Sequence, residues 1–343
     1  MSVACMMGPV PSTGPQGTMA KHGPGEMCPQ PNQTCGCRPS LNTFVSLFTQ
    51  VLSELRHLDI SRNRLGRAGI EALSLALERL TALEELNANC NVLHWTGAAT
   101  LARALRDLRL RRLDICDNDV GHVGMAALWP ALGRFSGLQR LGLGANALGP
   151  EGANLLSPIL KALTGLTALD LSWAAFGAGG MGALAPAIRA LSDLYELQVQ
   201  GNHLGSEGTK QLASVLPWLH SLRVLAVGHN DIGPDGMSSL APALKRLTAV
   251  TSLDLSRNIL GAGGAASLAS VLLHLTQLRD LGLGSNVLQE NGAAAFLPAL
   301  GALPNLTRLD FQHNCIGQEA AAELAQLTGL RELLMSETGL DAA

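Results

Sequence analysis

The chain has 343 residues, 47% apolar but only 3% aromatic, and a formal net charge of −3. A charge so near zero argues against a polyanion binder or an acidic-tail carrier. With no apolar run of eighteen residues and no apolar leader in the first twenty, neither a membrane span nor a signal peptide is expected. Seven cysteines, scattered, are too few for a disulfide framework and point to a reduced, cytoplasmic setting.

Residues 1–40 are rich in Pro, Gly, Met and polar residues, the composition of a disordered tail. His22, Cys28, Cys35 and Cys37 lie in it, but they lack the paired C-x-x-C spacing of a zinc site, so no metal is expected. From Leu41 the pattern changes. Phe44, Leu47, Phe48, Val51 and Leu52 share one helical face, which predicts an amphipathic helix over 41–54 that caps the first repeat.

From Leu55 onward the chain is periodic. Asn63, Asn91, Asn118 and Asn146 lie 28, 27 and 28 residues apart, and Ala174 stands in the next place. The step then resumes at Asn202, Asn230, Asn258, Asn286 and Asn314. Each asparagine closes one phrase, as in LRHLDISRN from Leu55 or LQRLGLGAN from Leu138. Leucines alternate in that phrase as on a strand: Leu58 and Ile60 point one way, and His57, Asp59 and Ser61 the other. Two glycines three apart often come next, as at Gly66 and Gly69 or Gly149 and Gly152, and suit a tight exit from the strand. Ile70, Leu73, Leu77 and Leu80 then have helical spacing. Each unit reads strand, turn, helix, turn, and units of this kind bury their apolar sides only by stacking. Two domains would be the prior for this length, but a stack grows one repeat at a time. The asparagines are expected to bond the backbone of adjoining turns.

These phrases resemble the leucine-rich-repeat family, and in particular its long-repeat, ribonuclease inhibitor-like subclass. The resemblance covers residues 55–343 with about eleven strands. It implies an α/β solenoid, a horseshoe with a parallel concave sheet and convex helices, that binds other proteins on the concave face. Ribonuclease inhibitor itself is cysteine-rich and acidic, unlike this chain.

Several motifs imitate chemistry. His57, Asp59 and Ser61 share a face, but alternate strand residues lie about 6.6 Å apart, too far for a catalytic triad. Asp-x-Ser also recurs at Asp170 and Asp254, as repeat grammar would have it. Gly177, Gly179 and Gly182 match G-x-G-x-x-G, yet two of the local glycines fill standard repeat places and no ribose-binding acid comes after them. No catalytic residue and no cofactor are expected. Pro130, Pro158, Pro186, Pro242 and Pro298 all fall twelve past the asparagine place and predict a break or second short helix there. Arg103, Arg106, Arg109, Arg111 and Arg112 form the densest charge, a solvated face or a patch for an anionic partner. Little aromatic interleaving argues against nucleic acid.

The fifth strand phrase is irregular, with Trp173 beside the missing asparagine. Trp173 is expected at the concave rim as an interface anchor, or else folded over the gap. The reading is a non-enzymatic interaction scaffold with a partner on the concave face at Glu85, Asn87, Arg112, Asp114, Arg140, Asp170, Trp173 and Glu196. Nucleic acid and membrane are excluded as partners. The alternatives are a GTPase-activating protein of the Ran type or a sensor/effector repeat protein. Against the first, no acidic tail succeeds the repeats and no catalytic loop of that family matches. The last interval shortens to 24 residues, from Asn314 to Thr338, and no capping helix comes after it. That end is expected to contact a partner or a second copy.

Overall fold

The computed structural model describes residues 54–324 and 327–339. The expected tail over 1–40 lies outside them, as does the capping helix expected over 41–54, but for Glu54. The strands are β1 (His57–Asp59), β2 (Glu85–Asn87), β3 (Arg112–Asp114), β4 (Arg140–Gly142), β5 (Ala168–Asp170), β6 (Glu196–Gln198), β7 (Val224–Ala226), β8 (Ser252–Asp254), β9 (Asp280–Gly282), β10 (Arg308–Asp310) and β11 (Glu332–Leu334). Between them run α1 (Gly66–Leu77), α2 (His94–Ala104), α3 (Gly121–Leu132), α4 (Gly149–Ala162), α5 (Gly177–Ile188), α6 (Gly205–Ala213), α7 (Pro234–Leu244), α8 (Gly261–Leu272), α9 (Gln289–Gly301) and α10 (Gly317–Leu324). The eleven strands form one parallel sheet in sequence order, and each helix packs on the next. This is the α/β solenoid that the period predicts.

Each strand has three residues, the middle one a leucine in register with its neighbours, as Leu113, Leu141 and Leu169 are. From β1 to β10 those leucines are buried under the helices, while the residues on either side point to the concave face. The apolar period of two thus becomes a core that runs the length of the stack.

The asparagines hold the turns. The Asn202 Oδ1 accepts the N–H groups of Ala174 and Phe176 in the preceding repeat, at 3.1 and 3.3 Å. Its Nδ2 donates to the carbonyls of Leu171, Val199 and Gln200. Asn91, Asn118, Asn146 and Asn230 bridge in the same way. A buried amide that satisfies main-chain groups of two repeats ties each unit to its neighbour. Where Ala174 stands, the N–H groups of Asn146 and Leu148 lack the side-chain oxygen that Asn118 and Val120 bond. At Thr338 the hydroxyl donates to the Met335 carbonyl, at 2.9 Å, and so makes one of the asparagine's bonds.

Few helices begin with a Ser, Thr, Asp or Asn cap, because the next repeat supplies the acceptor. The Gly66, His94, Gly121 and Gly177 N–H groups donate to the main-chain carbonyls of Asn91, Asn118, Asn146 and Asn202. The second repeat glycine has another reason, close helix contact. A Cβ on Gly124 would lie 3.1 Å from the Trp95 Cα, and one on Gly208 would lie 3.1 Å from the Ala178 Cα.

The prolines do not break the helices. Pro130, Pro158, Pro186, Pro242 and Pro298 all lie inside α3, α4, α5, α7 and α9. Each is exposed, so water can serve the carbonyl that loses its helical donor. The break occurs instead after α6, where a 3-10 turn spans Leu216–Trp218 and contains Pro217.

Candidate functional site

The outward side chains form parallel lanes across the strands. The first lane runs His57, Glu85, Arg112, Arg140, Ala168, Glu196, and the second runs Asp59, Asn87, Asp114, Gly142, Asp170, Gln198. All eight residues expected to bind a partner retain accessible surface. Seven of them lie in these two lanes, and Trp173 lies at the strand exit.

Charges in the first lane pair across strands. The His57 Nδ1 lies 2.9 Å from the Glu85 Oε2, and the Arg112 Nε lies 3.3 Å from the Glu85 Oε1. Arg140 reaches the Asp114 carboxylate at 3.3 Å and the Glu196 Oε2 at 3.4 Å. The second contact crosses β5, and it can do so because Ala168 is short. Burial raises the Asp114 pKa above its ordinary value, and the charge and hydrogen bond of Arg140 offset only part of that rise. Burial lowers the Arg140 pKa, but Asp114, Glu196 and Asp170 outweigh it, and the net shift is upward. Arg140 therefore stays cationic. Burial, reinforced by Asp170 and Asp114, pushes the Cys116 thiol up and leaves it protonated and unreactive.

The second lane contains its own hydrogen-bond logic. Asp59, Asp170 and Asp254 accept the N–H of the residue two positions on, at 2.8, 2.9 and 3.0 Å. This Asx bond shapes the strand exit and explains why Asp-x-Ser recurs. The triad geometry is absent, since His57 faces Glu85 and Asp59 serves the Ser61 amide. Asp114 differs. The Cys116 N–H donates to the Asn89 side chain instead, so the Asp114 carboxylate is turned to Arg140.

Sequence reasoning missed the close packing over two glycines beside Asp114. Gly142 and Gly144 on and after β4 have no side chains, and the neighbouring polar groups lean over them. A Cβ on Gly142 would strike the Asp114 carboxylate, and one on Gly144 would lie 2.7 Å from the Ser172 Oγ and 2.9 Å from the Asp170 Oδ1. The phrase LGLG carried the signal, since it sets two glycines on the outward face.

Trp173 adopts a positive φ of 54°, which is costly for a bulky residue. Its ring lies over Gly201, where any Cβ would clash with it, and 4.7 Å from the His229 ring. It is half-buried toward the later repeats. The arginine run divides between surfaces: Arg112 joins the concave face, whereas Arg106, Arg109 and Arg111 lie on the rim where strands begin. Arg112 and Arg140 are neutralised by carboxylates, so the concave face is no open patch for an anion. Gly177 and Gly180 are repeat glycines, one at φ 61° and the other packed on Phe176 and Ala153. Among the described residues no cluster could hold a metal ion, and no helix is long and apolar enough to cross a membrane.

A leucine-rich-repeat family model matches the chain at residues 53–74, 163–185, 219–241, 247–269 and 302–325. The protein is a leucine-rich-repeat protein. No curated protein matches it. Among solved structures it is similar to a chain of the yeast Rad7–Elc1 complex, with 19% identity over 88% of this chain and 76% of that one, at a TM-score of 0.61. A leucine-rich-repeat protein of Leptospira interrogans is 20% identical over 85% of this chain and 74% of that one, at a TM-score of 0.48. The actin-binding site 2 of leiomodin-1 is 15% identical over 42% and 84%, at a TM-score of 0.37. At these identities the likeness concerns the fold alone.

Proposed function

We propose that this protein is a non-enzymatic scaffold of the long-repeat, ribonuclease inhibitor-like subclass, and that a protein partner binds its concave face. The proposed contacts are Glu85, Asn87, Arg112, Asp114, Arg140, Asp170, Trp173 and Glu196. One observation carries the reading: polar side chains in strict register on β1–β6 keep accessible surface while their leucine neighbours are buried. The concave arginines are already paired, whereas Asp59, Asp114 and Asp170 retain acceptor capacity. The partner surface accordingly offers hydrogen-bond donors and cations, with Trp173 as the apolar anchor. A cytoplasmic setting belongs to the same proposal, supported by the free thiols of Cys116 and Cys315. So does a second contact at the C-terminal edge. There β11 pairs, among the described strands, only with β10, and Leu330, Leu333 and Met335 are only partly buried.

The test is affinity purification with wild type and with Asp114→Lys/Asp170→Lys, then hydrogen exchange of the recovered complex. The charge reversal should lose the partner, and exchange should slow on β1–β6. Retention of the partner, with protection confined to the convex helices, rejects the proposal.

A further inference from the structure

The arginines that did not join the concave face form a groove of their own. It lies on the rim where strands begin, between the segment joining α2 to β3 and the one joining α3 to β4. Arg106, Arg109, Arg111 and Arg134 line it, and Asp107 is its one acidic lining residue. All four guanidinium-bearing residues are exposed. Arg111 has an acidic partner in Glu84, at 3.3 Å, but Glu84 is shared with Arg56 at 2.7 Å. Among the described residues Arg106, Arg109 and Arg134 form no ion pair. A protein of net charge −3 thus concentrates unpaired cations at one place.

The bland account is that these cations answer the carbonyl ends of α2 and α3, which terminate at this rim. The magnitudes do not support it. Two helix ends contribute a charge of roughly −1 between them, an effect confined to the last turn. Arg103 already occupies the last turn of α2. Arg106, Arg109 and Arg111 lie beyond that turn, so a positive excess remains after Asp107 is counted.

We propose that this groove binds an acidic peptide segment, whose Asp and Glu carboxylates take up the free guanidinium forks. The planar fork pairs carboxylates in bidentate fashion. A single nucleic acid strand fits poorly, because the groove's one aromatic residue, Phe135, is buried and bases would have no ring to stack on. The site is separate from the concave lanes, and it stands whether or not the concave face binds a protein.

Fluorescence anisotropy with the full chain and a labelled oligoglutamate peptide tests the proposal. Binding should weaken as salt rises. Arg106→Glu/Arg109→Glu/Arg134→Glu should lower affinity on the order of tenfold or more. The neutral Arg106→Gln/Arg109→Gln/Arg134→Gln variant should give a smaller loss, and Lys245→Glu, at an exposed residue of a distant repeat, should leave binding unchanged. Circular dichroism of each variant confirms folding, and the glutamine variant carries the test if the charge reversal unfolds the chain. Three results overturn the proposal. They are no binding by wild type, equal binding of an oligoglutamine peptide, and equal binding by the folded triple variants. Tighter binding of a phosphoserine peptide or an oligothymidine strand than of oligoglutamate overturns the assignment to a carboxylate segment.

Discussion

Ala174→Asn should stabilise this protein, and the ladder allows the size to be worked out. An asparagine there would present its Oδ1 to the N–H groups of Asn146 and Leu148, as Asn146 does to Asn118 and Val120 at 3.1 and 3.3 Å. Each restored bond has a net value of about 0.5–1.5 kcal/mol, so the pair contributes about 1–3 kcal/mol. The opposite change, Asn202→Ala, removes the side-chain partners of the Ala174 and Phe176 amides and of the Leu171 carbonyl. At about 1–3 kcal/mol for each buried group left unsatisfied, it should cost roughly 3 kcal/mol or more. Urea denaturation gives the stability change from the midpoint at unaltered slope. Hydrogen exchange gives the local one, because the Asn146 and Leu148 amides should slow in the Ala174→Asn protein. The reasoning fails if Ala174→Asn destabilises by more than about 1 kcal/mol, or if those two amides exchange as before. The first result would mean that packed atoms already fill the space beside Ala174.

Burial and charge give two further outcomes. Leu141 is fully buried in mid-sheet, and Leu141→Ala should cost about 2–5 kcal/mol by cavity formation, measured by the same denaturation. Burial holds the Asp114 carboxyl above its ordinary 3.8, so the folded state binds that proton more tightly than the unfolded state. Stability from this group is fully present below pH 3.8 and is lost as pH rises through the folded value. Asp114→Asn should flatten that part of the pH–stability curve. A side-chain NMR titration midpoint at or below 3.8 for Asp114 would refute the burial argument.

The repeat, the strand phrases and the asparagine ladder were legible because each rests on a period that the chain states many times. The concave lanes were legible for the same reason, since alternation along a strand decides which side chains face outward. The pairings within the lanes were not. Arg140 reaches Glu196 only because a residue 28 positions on, Ala168, is small. The backbone around each asparagine was also hidden. Ala145, Trp173, His229 and Ser285 all take positive φ, a conformation usually signalled by glycine, and each donates its main-chain N–H to a carbonyl of the next repeat, even at Trp173, where no asparagine comes after it. The prolines misled for a related reason: their spacing is regular, but exposure on the convex face relieves the missing hydrogen bond.

The ladder has a direction. Some bonds run back: the strand-entry N–H groups of Arg111 and Arg112 donate to the Glu84 carbonyl of the preceding repeat, and the Asn118 Nδ2 donates to the Ala88 carbonyl. At the strand exit, however, main-chain donors find their acceptors in the next repeat along the chain, as Ile115, Asp117 and Gly121 do at the Gly142, Gly144 and Asn146 carbonyls. Synthesis proceeds the same way along the chain, so a repeat is completed only when the next asparagine has emerged, about one period later. The side-chain clasp is missing at Ala174, and again at Asn286, whose Oδ1 has no partner. The repeat ending at Asn146 still donates from Leu143, Ala145 and Gly149 to carbonyls of its successor, but it has no side-chain clasp. At the strand exit the repeat before Ala174 is therefore tied to its successor by main-chain bonds and packing alone, in the middle of the face proposed to hold a partner.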